Sequence, residues 1–176
     1  MSVKGGTVSP KYIDIQQDIF ELFETFAKDE YVLIGSRDDL RGILTRYDVF
    51  YFLKYHFEPF IIIGEIERAL RLMFDSSIDN LDERVRETFE PRTDHDASYS
   101  VPNSIEYFNF EEYKRFITTN LDVLPAQVSN DKDFILKLLE QVRINRNALF
   151  HFRSSADEID RESLDVAHSY FTGLIE

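Results

Sequence analysis

A chain of 176 residues with 43% hydrophobic and 14% aromatic content has the make-up of a folded protein, one domain or two small ones. The absence of cysteine excludes disulfides, thiolate metal sites and cysteine nucleophiles. A net charge of −13 argues against a general nucleic-acid coat protein, which needs many Lys and Arg to release counterions.

Residues 1–58 read as β-α-β-β-α. Tyr12-Ile13-Asp14-Ile15 alternates as a short strand. Asp18 and Glu21 are spaced as a capping box for a helix to about Lys28, with Ile19, Leu22, Phe23 and Phe26 inward. Tyr31-Val32-Leu33-Ile34 is a buried strand, Ser36 to Asp39 a polar turn, and Leu40 to Thr45 the returning strand. Asp48 opens a second helix from Val49 to about Phe57, and Pro59 marks a break or a new helix start.

Gly42-Ile43-Leu44-Thr45-Arg46-Tyr47-Asp48 resembles the strand-to-helix motif of a CBS domain, and residues 7–58 follow that order of elements. The resemblance implies an adenine-nucleotide site at Thr45 and Asp48, beside Gly42, with the nucleotide as a regulatory ligand. The chemistry is sound. An Asp at a helix start can accept both ribose hydroxyls, and a Thr hydroxyl with a helix N-terminus suits a phosphate. The alternative is that Thr45 and Asp48 only cap the helix. CBS units usually pair in tandem; this chain carries one, and a homodimer would supply the second.

From Pro59 onward the pattern is helical. Phe60 to Phe74 carries Ile62, Ile66, Ala69, Leu70 and Met73 on one stripe, with Glu65, Arg68 and Arg71 at its border. Asp79 to Phe89 is a shorter helix, and Pro91 to Ser104 is a polar loop, the chain's best candidate for disorder. Asn109 and Glu112 cap a helix from Phe110 to about Asn120. Asp131 to about Arg153 is expected to be the longest helix, with Ile135, Leu138, Val142, Leu149 and Phe152 as its seam. Ser155 and Glu158 form a capping box near a final helix that ends around Gly173. The expected class is α+β: a β-α-β-β-α unit over 1–58, then an antiparallel bundle of four to five helices over 59–176.

The last third of the chain holds Arg143-Ile144-Asn145-Arg146-Asn147-Ala148-Leu149-Phe150-His151-Phe152-Arg153. Histidine moves protons at neutral pH and arginine holds phosphate, a pairing that suits phosphodiester chemistry. Arg followed by His after four to six residues is a loose pattern. With 13 Arg and 4 His, about one match is expected by chance. A second match, Arg161 to His168, reads as accidental. From Glu111 to Arg153 there are seven bases against six acids, so this segment is less acidic than its surroundings.

Residues 60–175 resemble a HEPN domain, on the first helix Ile63 to Arg71 and on Arg146-Asn147-x-x-x-His151. The resemblance implies metal-independent cleavage of RNA in a cleft between two subunits. Arg146, Asn147 and His151 would be the catalytic residues, and the product would carry a 2′,3′-cyclic phosphate. Arg143, Asn147 and His151 form one stripe at i, i+4 and i+8, whereas Arg146 lies roughly 140° around the axis from His151. A second copy of the helix across a two-fold axis would close that gap.

The expected partners are a second copy, RNA, and a protein such as an antitoxin; DNA lacks the 2′-hydroxyl. A ligand that shifts CBS packing in the dimer would retune the cutting site, because the second CBS helix leads almost directly into the first bundle helix. The rival is a non-catalytic module binding a nucleotide and a protein partner, with Arg146 paired to an acid such as Glu140 and His151 bordering the core. No metal is expected; His95 between Asp94 and Asp96 is spaced like a metal clip but has no further fixed ligands. Met1 to Pro10 is polar and reads as no leader, and Phe60-Ile61-Ile62-Ile63 is too short to span a bilayer. A cytoplasmic protein with no membrane partner is the expectation.

Overall fold

The computed structural model describes residues 11–90, 101–150 and 159–175. The class is α+β, and the chain divides into two compact units, Met1–Phe57 and Glu58–Glu176.

In the first unit, β1 (Tyr12–Ile13), β2 (Tyr31–Gly35) and β3 (Leu40–Thr45) form a sheet in that order, with β1 parallel and β3 antiparallel to β2. β1 is shorter than the Tyr12–Ile15 strand expected. The Asp14 carboxylate accepts from the backbone N–H of Gln16 at 2.8 Å, a local bond that competes with the ladder and turns the chain. The β2–β3 hairpin turns over Ser36 to Asp39, whose backbones bond reciprocally at 3.0 and 3.3 Å. Gly35 is the glycine this turn requires: its φ is +106°, and a Cβ there would stand 2.2 Å from the Asp39 carbonyl oxygen.

The single helix expected from Asp18 to Lys28 is instead a 3-10 turn, Ile19–Leu22, followed by α1 (Phe23–Phe26). Asp18 caps it, accepting from Phe20 N–H at 2.8 Å, while Glu21 bonds the Gln17 side chain and no return bond to Asp18 forms. Leu22 and Phe26 are buried as expected; Phe23 is exposed. The buried core of this unit is Ile13, Leu22, Phe26, Val32 and Val49.

α2 spans Arg46–Ser77 as one helix with Pro59 inside it. This corrects the two shorter helices expected on either side of Pro59, and it makes α2 the longest helix of the described chain. Proline removes one helical bond and crowds the preceding turn. Here the apolar periodicity resumes at once through Ile62, Ile63 and Ile66, and the helix runs on through Gly64 as well.

The second unit adds α3 (Leu81–Phe89), α4 (Phe110–Thr119), α5 (Ala126–Asn130), α6 (Lys132–Phe150) and α7 (Arg161–Gly173). α3 starts two residues later than expected, because Asn80 at φ +56° takes the cap and its carbonyl accepts from Glu83 and Arg84. The capping box at α4 forms fully: the Asn109 carboxamide accepts from Glu112 N–H, and the Glu112 carboxylate accepts from Asn109 N–H at 2.6 Å. α7 is capped by Asp160, which accepts from Ser163 N–H at 3.1 Å. The expected Ser155–Glu158 box lies outside the described residues, as does the loop of residues 91–100.

One apolar core runs through this unit. It draws Ile63, Ile66, Leu70, Met73 and Phe74 from α2, Tyr113, Phe116 and Ile117 from α4, Ile135, Leu139 and Val142 from α6, and Leu164 and Phe171 from α7. α6 packs against both α4 and α7, which fixes the helix carrying the arginine–asparagine motif. No helix among the described residues is long and apolar enough to cross a membrane.

Candidate functional site

The last two turns of α6 carry four polar residues of interest, and the fold treats them differently. Arg143 is committed. Its guanidinium bonds Glu140, with Nε at 3.0 Å, and reaches Glu111 at 3.1 Å. Lys114 joins the same two carboxylates at 2.9 and 3.2 Å, giving a four-member network between α4 and α6. Its Arg143 and Lys114 hydrogen bonds hold the Glu140 carboxyl down at about 2. Glu140 therefore serves Arg143 and Lys114. The sequence alternative that paired it with Arg146 is not what the fold does.

Asn145 is also committed. It is 2% exposed, its Nδ2 donates to the Gln141 carbonyl at 3.0 Å and to Ser163 Oγ at 3.2 Å, and its Oδ1 accepts from Asp160 N–H at 2.8 Å. It clamps the start of α7 to α6. The sequence reading passed over it, although a polar residue three positions after Val142 on an apolar seam is the available signal.

Arg146 and Asn147 are different. Among the described residues Arg146 makes no hydrogen bond or ion pair; its guanidinium carbon lies 4.9 Å from the centre of the Phe150 ring. Asn147 makes no side-chain hydrogen bond among those residues. Both are half-buried. His151, the third residue of the motif, lies outside the described residues, as do Arg153 and the Asp94-His95-Asp96 group.

Arg146 has an acidic neighbour that the sequence did not single out. Burial raises the pKa of the Glu67 carboxyl, and the charges of Arg71 and Arg146 oppose that rise. Glu67 accepts from Arg71 Nη2 at 3.1 Å, and Arg71 Nε donates to Tyr113 Oη at 3.1 Å.

The second match, Arg161 and His168, has a structural use. Arg161 approaches Glu58 at 3.8 Å and His168 Nε2 meets Glu65 at 2.6 Å, so both tie α7 to α2. The two residues sit almost two turns apart on one helix, each with its own acid.

In the first unit, Thr45 and Asp48 come together at the start of α2. Asp48 Oδ2 accepts from Thr45 Oγ1 at 2.6 Å and from Thr45 N–H at 2.8 Å, and Asp48 N–H donates back to Thr45 Oγ1 at 3.2 Å. These bonds lower the Asp48 pKa, so the carboxylate stays ionised and exposed. Gly42 lies in β3 opposite Ile34, where a Cβ would meet only the Ile34 side chain at 3.8 Å. Space does not require a glycine there. A polar cleft of about 510 Å³, lined by Asp14, Ser36, Asp39 and Arg41, opens at the other end of β3 from Thr45. An apolar groove of about 470 Å³ lies between Phe23, Phe26, Phe50 and Leu53.

The described residues hold no cluster of three or more His, Asp or Glu able to bind a metal ion. In comparisons with known proteins, no family model, no curated protein and no solved structure matches the chain.

Proposed function

We propose that the chain is a homodimeric, metal-independent endoribonuclease of HEPN type, with a CBS unit that binds an adenine nucleotide and tunes the cut. The observation that carries this reading is the contrast on α6. Arg143 and Asn145 are consumed by the fold, whereas Arg146 and Asn147, the two that precede His151 in the motif, make no side-chain hydrogen bond among the described residues.

In the proposed reaction the ribose 2′-oxygen bonds to the adjacent phosphorus and the bond to the 5′-oxygen breaks, leaving a 2′,3′-cyclic phosphate. The 2′-hydroxyl proton leaves to a base and the departing 5′-oxygen takes one up; His151 serves one of these transfers, a role worth about 10²–10⁴ in rate. Arg146 stabilises the added charge on the phosphorane. Asn147 orients His151 or the phosphate. A second copy would bring the paired Arg146 and His151 to a shared groove.

Support for the dimer comes from the first unit, which exposes Tyr47, Phe50, Tyr51 and Phe52 along the start of α2 and buries few apolar residues of its own. Support for the nucleotide comes from Thr45 and Asp48, a hydroxyl and an ionised carboxylate side by side at a helix N-terminus.

A second reading is a non-catalytic module that binds a nucleotide and a protein partner. The charge of Glu67 felt at Arg146 and the net charge of −13 favour it. Incubation of labelled RNA with the protein and with His151→Ala, each with and without adenine nucleotides, separates the two. Cutting that His151→Ala loses supports the ribonuclease; no cutting under any condition leaves the binding module.

A further inference from the structure

The apolar groove between α1 and α2 has no part in the chemistry proposed above, and its walls follow from helix spacing. Phe23, Phe26 and Ala27 lie three and four residues apart at the end of α1. Arg46, Val49 and Phe50 repeat that spacing at the start of α2, so each set shares one face of its helix. Between the two faces is a recess of about 470 Å³. Phe26 and Val49 are buried and form its floor, while Phe23 and Phe50 stand exposed along its rim.

One lining residue is charged. Arg46 is exposed, and no acidic side chain lines the groove with it. Among the described residues its guanidinium makes no ion pair; its one hydrogen bond runs from Nη2 to the Asp29 carbonyl at 3.3 Å. A carbonyl leaves the positive charge uncompensated, so a carboxylate is the complementary partner. Asp48 does not take that place. It stands two residues along the helix, off the Arg46 face, with its carboxylate bound to Thr45. A concave apolar surface with a single polar group to fix orientation is the make-up of a small-molecule site. We propose that the α1–α2 groove binds an amphipathic monocarboxylate, its hydrocarbon part over Phe26 and Val49 and its carboxylate on Arg46. This site is separate from the Thr45–Asp48 pair and does not depend on RNA cleavage.

Medium-chain fatty acids, kept below the concentration at which they form micelles, are the probes, and calorimetry on the full chain is the readout. Each added methylene tightens binding about fourfold as it leaves water, so decanoate binds about fifteenfold tighter than octanoate. Decanol has the same chain without the charge. In Arg46→Gln the preference for decanoate over decanol falls about tenfold or more, the scale of a charge-assisted hydrogen bond, while decanol binds as it does to the wild type. Ala27 is exposed, so Ala27→Phe fills the groove without entering the core. That variant melts like the wild type and loses both ligands. The proposal is overturned by a wild type that binds neither ligand, by an Arg46→Gln protein that keeps the wild-type preference, or by a folded Ala27→Phe protein that still binds decanoate. It is also overturned if the NMR signals of the Val49 methyls move with protein concentration and not with decanoate, which would give the groove to a second copy.

Discussion

The two units differ most in how much apolar surface each buries for itself. Among the described residues of the second unit, 25 hydrophobic residues join one core and eight large ones stay exposed. The first unit buries five and exposes twelve. Its sheet and helices form with correct local chemistry, from the Gly35 turn to the Asp18 and Thr45 caps, yet local bonds alone contribute little stability. A unit of this size buries too little to be secure by itself. The second unit buries most of the chain's apolar core, and the first leaves the larger share of exposed apolar side chains, which the proposed dimer would cover.

The largest expected effect tests the self-sufficient side. Phe116 is 0% exposed and packs edge-on against Phe74 at 5.1 Å and Phe108 at 5.4 Å. Phe116→Ala is expected to cost about 3–5 kcal/mol in chemical denaturation, independent of protein concentration. Asn145→Ala comes next, because it leaves the Asp160 N–H without its acceptor and removes the bond to Ser163 Oγ, whose own bond to the Asp160 carbonyl remains. A loss of about 1–3 kcal/mol is expected, with faster amide exchange through α7.

Glu140→Gln is smaller, about 0.5–1 kcal/mol at neutral pH, because the network is partly exposed and screened. Its sign with pH is fixed. The folded carboxyl titrates at about 2, below its unfolded value, so the ionised form stabilises the fold above that unfolded value. The difference between wild type and Glu140→Gln therefore shrinks as pH falls from about 4.3 toward the folded value. Phe50→Ala, 64% exposed beside the apolar groove, should change the stability of one chain by less than about 0.5 kcal/mol. It should weaken self-association measured by sedimentation. If it does not, the comparison between the units loses its functional meaning.

Legibility in the sequence followed the same division. The β2–β3 hairpin and the α4 capping box could be read from spacing, because Ser36 to Asp39 and Asn109 with Glu112 are local signals with local consequences. The unbroken α2 could not, since the effect of Pro59 depends on what resumes beyond it. Nor could the split at Asp18 to Phe26, where Glu21 had another partner. At the candidate site, Arg146 and Asn147 were legible as a motif. Asn145 was not, because Asp160 and Ser163, the partners that give it its role, lie at the far end of a loop.

The most direct test is the rate of RNA cleavage as a function of protein concentration, measured for the wild type and for His151→Ala, with the product ends identified. A dimeric site predicts a rate that climbs as the square of concentration at high dilution, products ending in a 2′,3′-cyclic phosphate, and no cutting by His151→Ala. A rate proportional to concentration throughout, or cutting that survives His151→Ala, would contradict it.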